Sequence, residues 1–122
     1  MKKLFSLLLA ATSLVGCQSS TEFKSVDAQQ FAEVIANKDV QLVDARTPEE
    51  FSEGHIPGAV NIDVKSDNFD AQIAMLDPAR PVAVYCRSGR RSKLAAERMT
   101  NAGLQVTELA EGILSWQGEV VK

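Results

Sequence analysis

Between residues 23 and 117, short apolar runs alternate almost strictly with segments that carry helix-capping signals. Residues 23–26 read as a strand, followed by Asp27 as the N-cap of a helix reaching about Ala36, with Gln30 at the capping-box position and Phe31, Val34 and Ile35 on its apolar face. Residues 40–43 form a short apolar run ending at Asp44. Thr47-Pro48-Glu49-Glu50 then opens a brief helix by three cues, a capping threonine, a proline at the first helical position and a glutamate at the third. The break Gly54-His55-Ile56-Pro57-Gly58 leads to a strand at 59–62 and a helix at about 68–76 closed by Asp77-Pro78. Residues 81–85 are the most strand-like run and deliver Cys86 at their carboxyl end. A helix at 92–102 with Gly103 as its left-handed terminator follows, then a strand at 106–109 and a short helix at about 112–117 carrying Trp116. Strict alternation of this kind predicts a parallel sheet covered on both faces, an α/β fold.

The chain has 122 residues, 45% of them apolar, which suits one domain with one core. The first residues differ in kind. Lys2 and Lys3 precede the uncharged apolar run at 4–15 and then Gly16-Cys17, the layout of a secretory signal and too short for the roughly 20 residues of a membrane-spanning helix. Leu14-Val15-Gly16-Cys17 resembles the lipobox of bacterial lipoproteins. That resemblance implies a signal peptide at 1–16, lipidation of Cys17, a tether at 17–22 and a folded domain at 23–122. The anchor would attach the protein to the membrane in the bacterial cell envelope. Gln18 after the cysteine implies the periplasmic face of the outer membrane. Removing Lys2 and Lys3 leaves 11 basic against 16 acidic residues, so the formal charge moves from −3 to −5. An acidic body of this kind argues against nucleic acid as a partner.

The stretch Tyr85-Cys86-Arg87-Ser88-Gly89-Arg90-Arg91-Ser92 sets a single thiol among charges rather than in a core. As a turn between a buried strand and a helix, its successive amides can converge on one spot, and the helix adds its positive end, so the turn is an anion cradle. Gly89 permits the tight backbone, and Arg87, Arg90 and Arg91 charge the rim. A free thiol is only about 3% ionised at neutral pH, and helix N-termini and arginines favour the thiolate. Cys86 is therefore the candidate nucleophile, with Arg87, Ser88, Gly89, Arg90, Arg91 and Ser92 as the substrate-binding loop. His55 is the one histidine, read as a structural loop residue, and no metal-ligand spacing occurs, so neither metal nor cofactor is expected.

Leu42-Val43-Asp44-Ala45-Arg46, Glu49-Glu50-Phe51, Gly54-His55-Ile56-Pro57-Gly58-Ala59 and the cysteine loop resemble the rhodanese family in order and spacing, over residues 23–120. The resemblance implies a three-layer α/β/α rhodanese-like domain with a five-stranded parallel sheet. It also implies sulfur transfer: Cys86 takes a sulfane sulfur from a small anionic donor such as thiosulfate and passes the persulfide sulfur to cyanide or a thiol. The arginines would orient the donor, Asp44 and Arg46 would brace the loop, and the protein would act as a monomer. One departure is Glu111-Gly112 where family members commonly have two glycines before the tryptophan helix. Other readings compete. A non-catalytic, membrane-tethered binding module is one. Another is a phosphatase or arsenate reductase of the same fold, whose loops resemble a cysteine, five residues and an arginine; here Ser92 stands at that sixth position. A thiol redox role would need an external thiol, because no second cysteine lies nearby.

Overall fold

A computed structural model describes residues 22–122. The signal segment at 1–16, Cys17 and all but the last residue of the 17–22 tether lie outside the described residues. The chain runs β1 (Lys24–Val26), α1 (Ala28–Ile35), β2 (Gln41–Asp44), α2 (Pro48–Glu53), β3 (Val60–Asn61), α3 (Phe69–Ile73), β4 (Val82–Tyr85), α4 (Arg90–Asn101) and β5 (Val106–Leu109), then a 3-10 turn at Ile113–Ser115. Among the described residues no helix is long and apolar enough to cross a membrane.

The capping signals do what their chemistry requires. The Asp27 carboxylate accepts the Gln30 amide at 2.8 Å while the Gln30 side chain accepts the Asp27 amide, closing a capping box at the start of α1. Thr47 and Glu50 do the same for α2, with Pro48 filling a first-turn position where its missing N–H costs nothing. At the end of α4, Gly103 (φ +96°) turns the chain so that the Leu104 amide reaches Met99 O at 3.1 Å and the Gly103 amide reaches Thr100 O at 2.9 Å. Those bonds satisfy the last carbonyls of the helix.

Three elements differ from the sequence expectation. The helix expected at 68–76 is only Phe69–Ile73, because the following amides of Met75 and Leu76 tighten to bonds three residues back before Asp77-Pro78. The helix expected from Ser92 begins two residues earlier, at Arg90, since Gly89 (φ +104°) reverses the chain after only three loop residues. The closing helix is a single 3-10 turn.

Among the described residues the five strands all pair in parallel, in the order β1-β5-β4-β2-β3, and a separate antiparallel bridge joins His55 to Val121. Successive strand side chains alternate faces. Val43, Val82, Val84 and Val106 pack with Phe69, Ile73, Ala95, Ala96 and Met99 under α3 and α4. On the opposite face Leu42, Ala83, Tyr85 and Leu109 pack with Phe31 and Ile56, with Trp116 against their edge. Residues read as short apolar runs are thus buried on both sides, as a covered parallel sheet demands. From the central pair β4–β2 the chain leaves outward in opposite directions, to β5 and to β3. The crevice beyond the carboxyl ends of this pair is where open α/β sheets place their ligands. Cys86 and Asp44 stand there.

Candidate active site

Cys86 follows the last residue of β4, with Arg87, Ser88 and Gly89 forming the whole loop before α4. The thiol expected among surface charges is in fact buried, 1% exposed, beneath a loop whose Arg87, Ser88 and Arg90 are exposed. Its burial follows from the tightness of the turn, which folds the Gly89 amide back onto Sγ at 3.1 Å. Sγ also donates to Ser92 Oγ at 3.4 Å, one turn into the helix. The amides of the first turn of α4 have no carbonyl within the helix to pair with and, with the helix dipole, give this end a positive character.

A second segment holds the loop from above. Ile113 N donates to Cys86 O at 2.9 Å and Leu114 N to Arg87 O at 3.2 Å. The approach is so close that a Cβ on Gly112 (φ +72°) would lie 2.2 Å from Arg87 O, and one on Gly89 would lie 1.9 Å from Ala110 O. Gly112 is therefore required both by its backbone conformation and by space. Glu111, at the other position of that pair, is exposed and does not hold a positive φ, so a side chain is accommodated there.

The arginines divide. Arg87 and Arg90 stand exposed on the rim. Arg91, expected to orient a donor, instead makes a two-pronged ion pair with Glu50 of α2, Nη1 to Oε1 at 2.7 Å and Nη2 to Oε2 at 3.0 Å. Its hydrogen bonds to Glu50 hold the guanidinium above its ordinary value against partial burial, and the Asp63 carboxylate and a thiolate at Cys86 act on it in the same direction. Arg91 thus contributes field at the sulfur while its donors are committed to Glu50. Reciprocally, the Arg91 hydrogen bonds, opposed by partial burial and helped by Thr47, lower the Glu50 carboxyl to about 2.

Asp44 and Arg46 meet as a buried pair, with Arg46 Nη2 at 2.7 Å from Asp44 Oδ2 and Nε bridging both carboxylate oxygens. Burial opposes the Arg46 charge, but the hydrogen bond and charge of Asp44 outweigh it and raise the guanidinium. The pair was expected to brace the cysteine loop. Its bonds run instead to Gly54 O at 2.7 Å and to the Arg46 backbone, so it fixes the end of β2 and the turn after α2. The link to the cysteine strand is indirect, through Ala45 N to Tyr85 O at 2.8 Å and the Arg46 guanidinium over the Tyr85 ring at 5.8 Å. His55 stacks on Phe51 with ring centroids 3.7 Å apart and bonds its carbonyl through Nδ1, a loop-building role as expected.

Two glutamates near the cysteine loop escaped sequence reading. Glu50 was legible only as a helix cap. Glu108 on β5 is fully buried and receives Ser92 Oγ at 2.6 Å, Lys93 Nζ at 3.3 Å and Ser25 Oγ at 2.5 Å. Its one signal is a charged residue inside the apolar run Val106-Thr107-Glu108-Leu109, which in an internal strand demands partners.

Residues 27–119 match the model of the rhodanese-like domain. The chain belongs to the rhodanese family. Among its rhodanese relatives, the thiosulfate sulfurtransferase GlpE of Shewanella oneidensis is 33% identical over 97 residues, spanning 79% of this chain and 94% of that one. The putative sulfurtransferase YtwF of Bacillus subtilis is 30% identical over 99 residues, 80% of this chain and 94% of its own. The crystal structure of a rhodanese-related protein from Thermoplasma volcanium superposes with a TM-score of 0.72 at 29% identity, covering 81% of this chain and 98% of that one. The five-stranded α/β rhodanese fold and the existence of sulfurtransferase relatives are thereby established for this chain.

Proposed function

We propose that this protein is a sulfurtransferase that carries a sulfane sulfur as a persulfide on Cys86. The observation that carries the reading is the three-residue loop that turns the Gly89 amide onto Sγ at the positive end of α4. An anionic sulfur held there meets the Gly89 N–H and the positive end of α4, as an oxyanion meets its donors in acyl transfer. The Cys86 thiolate attacks the outer sulfur of a donor such as thiosulfate. A bond forms between Sγ and that sulfur, the bond to the sulfonate sulfur breaks, and its electron pair leaves on sulfite. Cyanide or a thiolate then takes the terminal sulfur and the electron pair returns to Sγ. No oxidant, metal or cofactor enters this balance. The exposed Arg87 and Arg90 draw the anionic donor to the rim. Against phosphoryl chemistry, Ser92 stands at the sixth position from Cys86, and the neighbouring Arg91 is engaged by Glu50.

Mass spectrometry of the protein after thiosulfate treatment tests the reading. Wild type is expected to gain one sulfur on the Cys86 peptide and lose it to cyanide, and Cys86→Ser to gain none. A wild type that takes sulfur from neither thiosulfate nor another persulfide donor would make the binding-module reading the better one. The lipobox resemblance supports the further proposal that the protein is held at the periplasmic face of the outer membrane by lipid on Cys17. Palmitate labelling should then vanish in Cys17→Ala, and label that persists would exclude this anchor.

A further inference from the structure

Behind the thiol a hydrogen-bonded line leads away from the loop mouth. Cys86 Sγ donates to Ser92 Oγ at 3.4 Å, and Ser92 Oγ donates its own proton to Glu108 Oε2 at 2.6 Å. The serine hydroxyl has one proton and gives it to the carboxylate, so toward sulfur it can only accept. Sγ, Ser92 and Glu108 are buried, and nothing in the backbone requires a carboxylate on β5. A charge in that position costs several kcal/mol unless its partners compensate. Lys93 Nζ, at 3.3 Å from Glu108 Oε2 and also bonded to Gly89 O and Ala110 O, sets an opposite charge beside the carboxylate. Ser25, on the exposed face of β1, bonds the other oxygen and lines an open groove of about 810 Å³, so the far end of the line meets solvent.

From this geometry we infer that Ser92 and Glu108 form a proton relay that takes the Cys86 proton when sulfur attacks and returns it when sulfur leaves. The Sγ–H bond breaks as that proton forms an O–H bond to Ser92 Oγ, while the former Ser92 O–H bond breaks and its proton forms an O–H bond to Glu108 Oε2. The thiolate left behind then accepts from both Ser92 Oγ–H and the Gly89 amide. After the acceptor removes the terminal sulfur, the protons retrace the path. Charge and protons balance within three side chains, and a buried thiol need not release its proton through the mouth that the anionic donor occupies. The charged groups facing this line are Lys93 at Glu108, and at Cys86 the Arg91 guanidinium, itself engaged by Glu50 and within the field of Asp63, with Arg87 and Arg90 on the rim. Glu108 touches no substrate; it is a positioning and proton-holding residue acting through Ser92.

The role of the proton in sulfur transfer rests on the function proposed above, but the relay itself can be read on the thiol alone. The probe is the rate of iodoacetamide alkylation against pH, followed on the tryptic peptide carrying Cys86, in the full chain. With a relay, wild-type reactivity levels off on the acid side, because the proton leaving sulfur stays within the line and is not exchanged with solvent. In Glu108→Gln, which keeps an oxygen acceptor for Ser92 but removes its basicity, the rate is expected to fall about tenfold per pH unit there. Ser92→Ala should give the same slope, and Ser92→Ala/Glu108→Gln no more than either alone, since each cuts one line. A wild-type profile in either single variant overturns the relay. So does higher acid-side reactivity in Glu108→Gln, which would mean that the carboxylate merely repels the thiolate. Should Glu108→Gln fail to fold by circular dichroism, Ser92→Ala, which leaves Glu108 with Lys93 and Ser25, decides alone. A protein that shows the relay profile yet takes no sulfur from any donor would sink the sulfurtransferase reading and leave the relay standing.

Discussion

Glu50 joins two segments that lie 41 residues apart, and its chemistry predicts how the cysteine loop meets acid. Arg91 hydrogen bonding, against partial burial, lowers this carboxyl from 4.5 to about 2. A group depressed in the folded state stabilises it fully above its unfolded value, and that stabilisation is lost as pH falls from about 4.5 toward about 2. The pair is a quarter exposed or less, and solvent screening reduces its worth to on the order of 1–2 kcal/mol at neutral pH. Glu50→Gln should therefore unfold at lower urea than wild type at neutral pH, with the gap closing toward pH 2; a gap independent of pH would place the effect in the helix cap instead. The sequence showed Glu50 as a cap because capping needs only residues three apart. Its ion pair was invisible there, since nothing local connects Thr47-Pro48-Glu49-Glu50 to Arg91. Cys86 stood out in the sequence as the candidate nucleophile from the charges around it, while its burial did not, because the depth of a thiol depends on how far the loop folds back. Glu108 stood in plain view as a charge in a strand, but its meaning needed Ser92 and Ser25 beside it.

Among the elements, the turn at 110–114 decides whether the cysteine loop keeps its shape. Gly112 and Gly103 both hold positive φ, yet only Gly112 faces backbone at contact distance, and nothing lies within 4 Å of a Cβ at Gly103. Each change to alanine is expected to cost about 1 kcal/mol or more through backbone strain. Gly112→Ala should in addition push the carbonyl of Arg87 aside and lower sulfur loading at least tenfold, whereas Gly103→Ala should leave loading unchanged after correction for unfolding. Equal loss of loading in both would show that strain, not loop position, controls the site. At this scale the sequence was most readable: both capping boxes, the left-handed glycine after α4 and the bounds of β5 follow from rules that act within a few residues. It misplaced the start of α4 by two residues for a definite reason. Arginines at a helix start oppose the dipole, and the compensation of Arg91 by Glu50 comes from another helix.

For the molecule as a whole, a formal charge of −3 is combined with a rim at Arg87 and Arg90 of opposite sign. An anionic donor is repelled by the bulk of the surface and drawn to one place on it. Raising ionic strength weakens both fields, but the rim is nearer, so kcat/KM for thiosulfate should fall with added salt more than for a neutral donor; an equal response to salt would remove steering from the account. The covered parallel sheet was legible from alternation alone, although the order of its strands was not, since any apolar run can pair with any other. That order has a consequence for how the chain is made. Among the described residues β1 pairs only with β5, and β5 joins the rest of the sheet only beside β4. A growing or threading chain therefore has no partner for its first strand until residue 109 has emerged, and long-range parallel pairing of this kind forms slowly. The topology withholds commitment to the native state until β5 has joined the sheet, which keeps the polypeptide open to any process that must handle it unfolded.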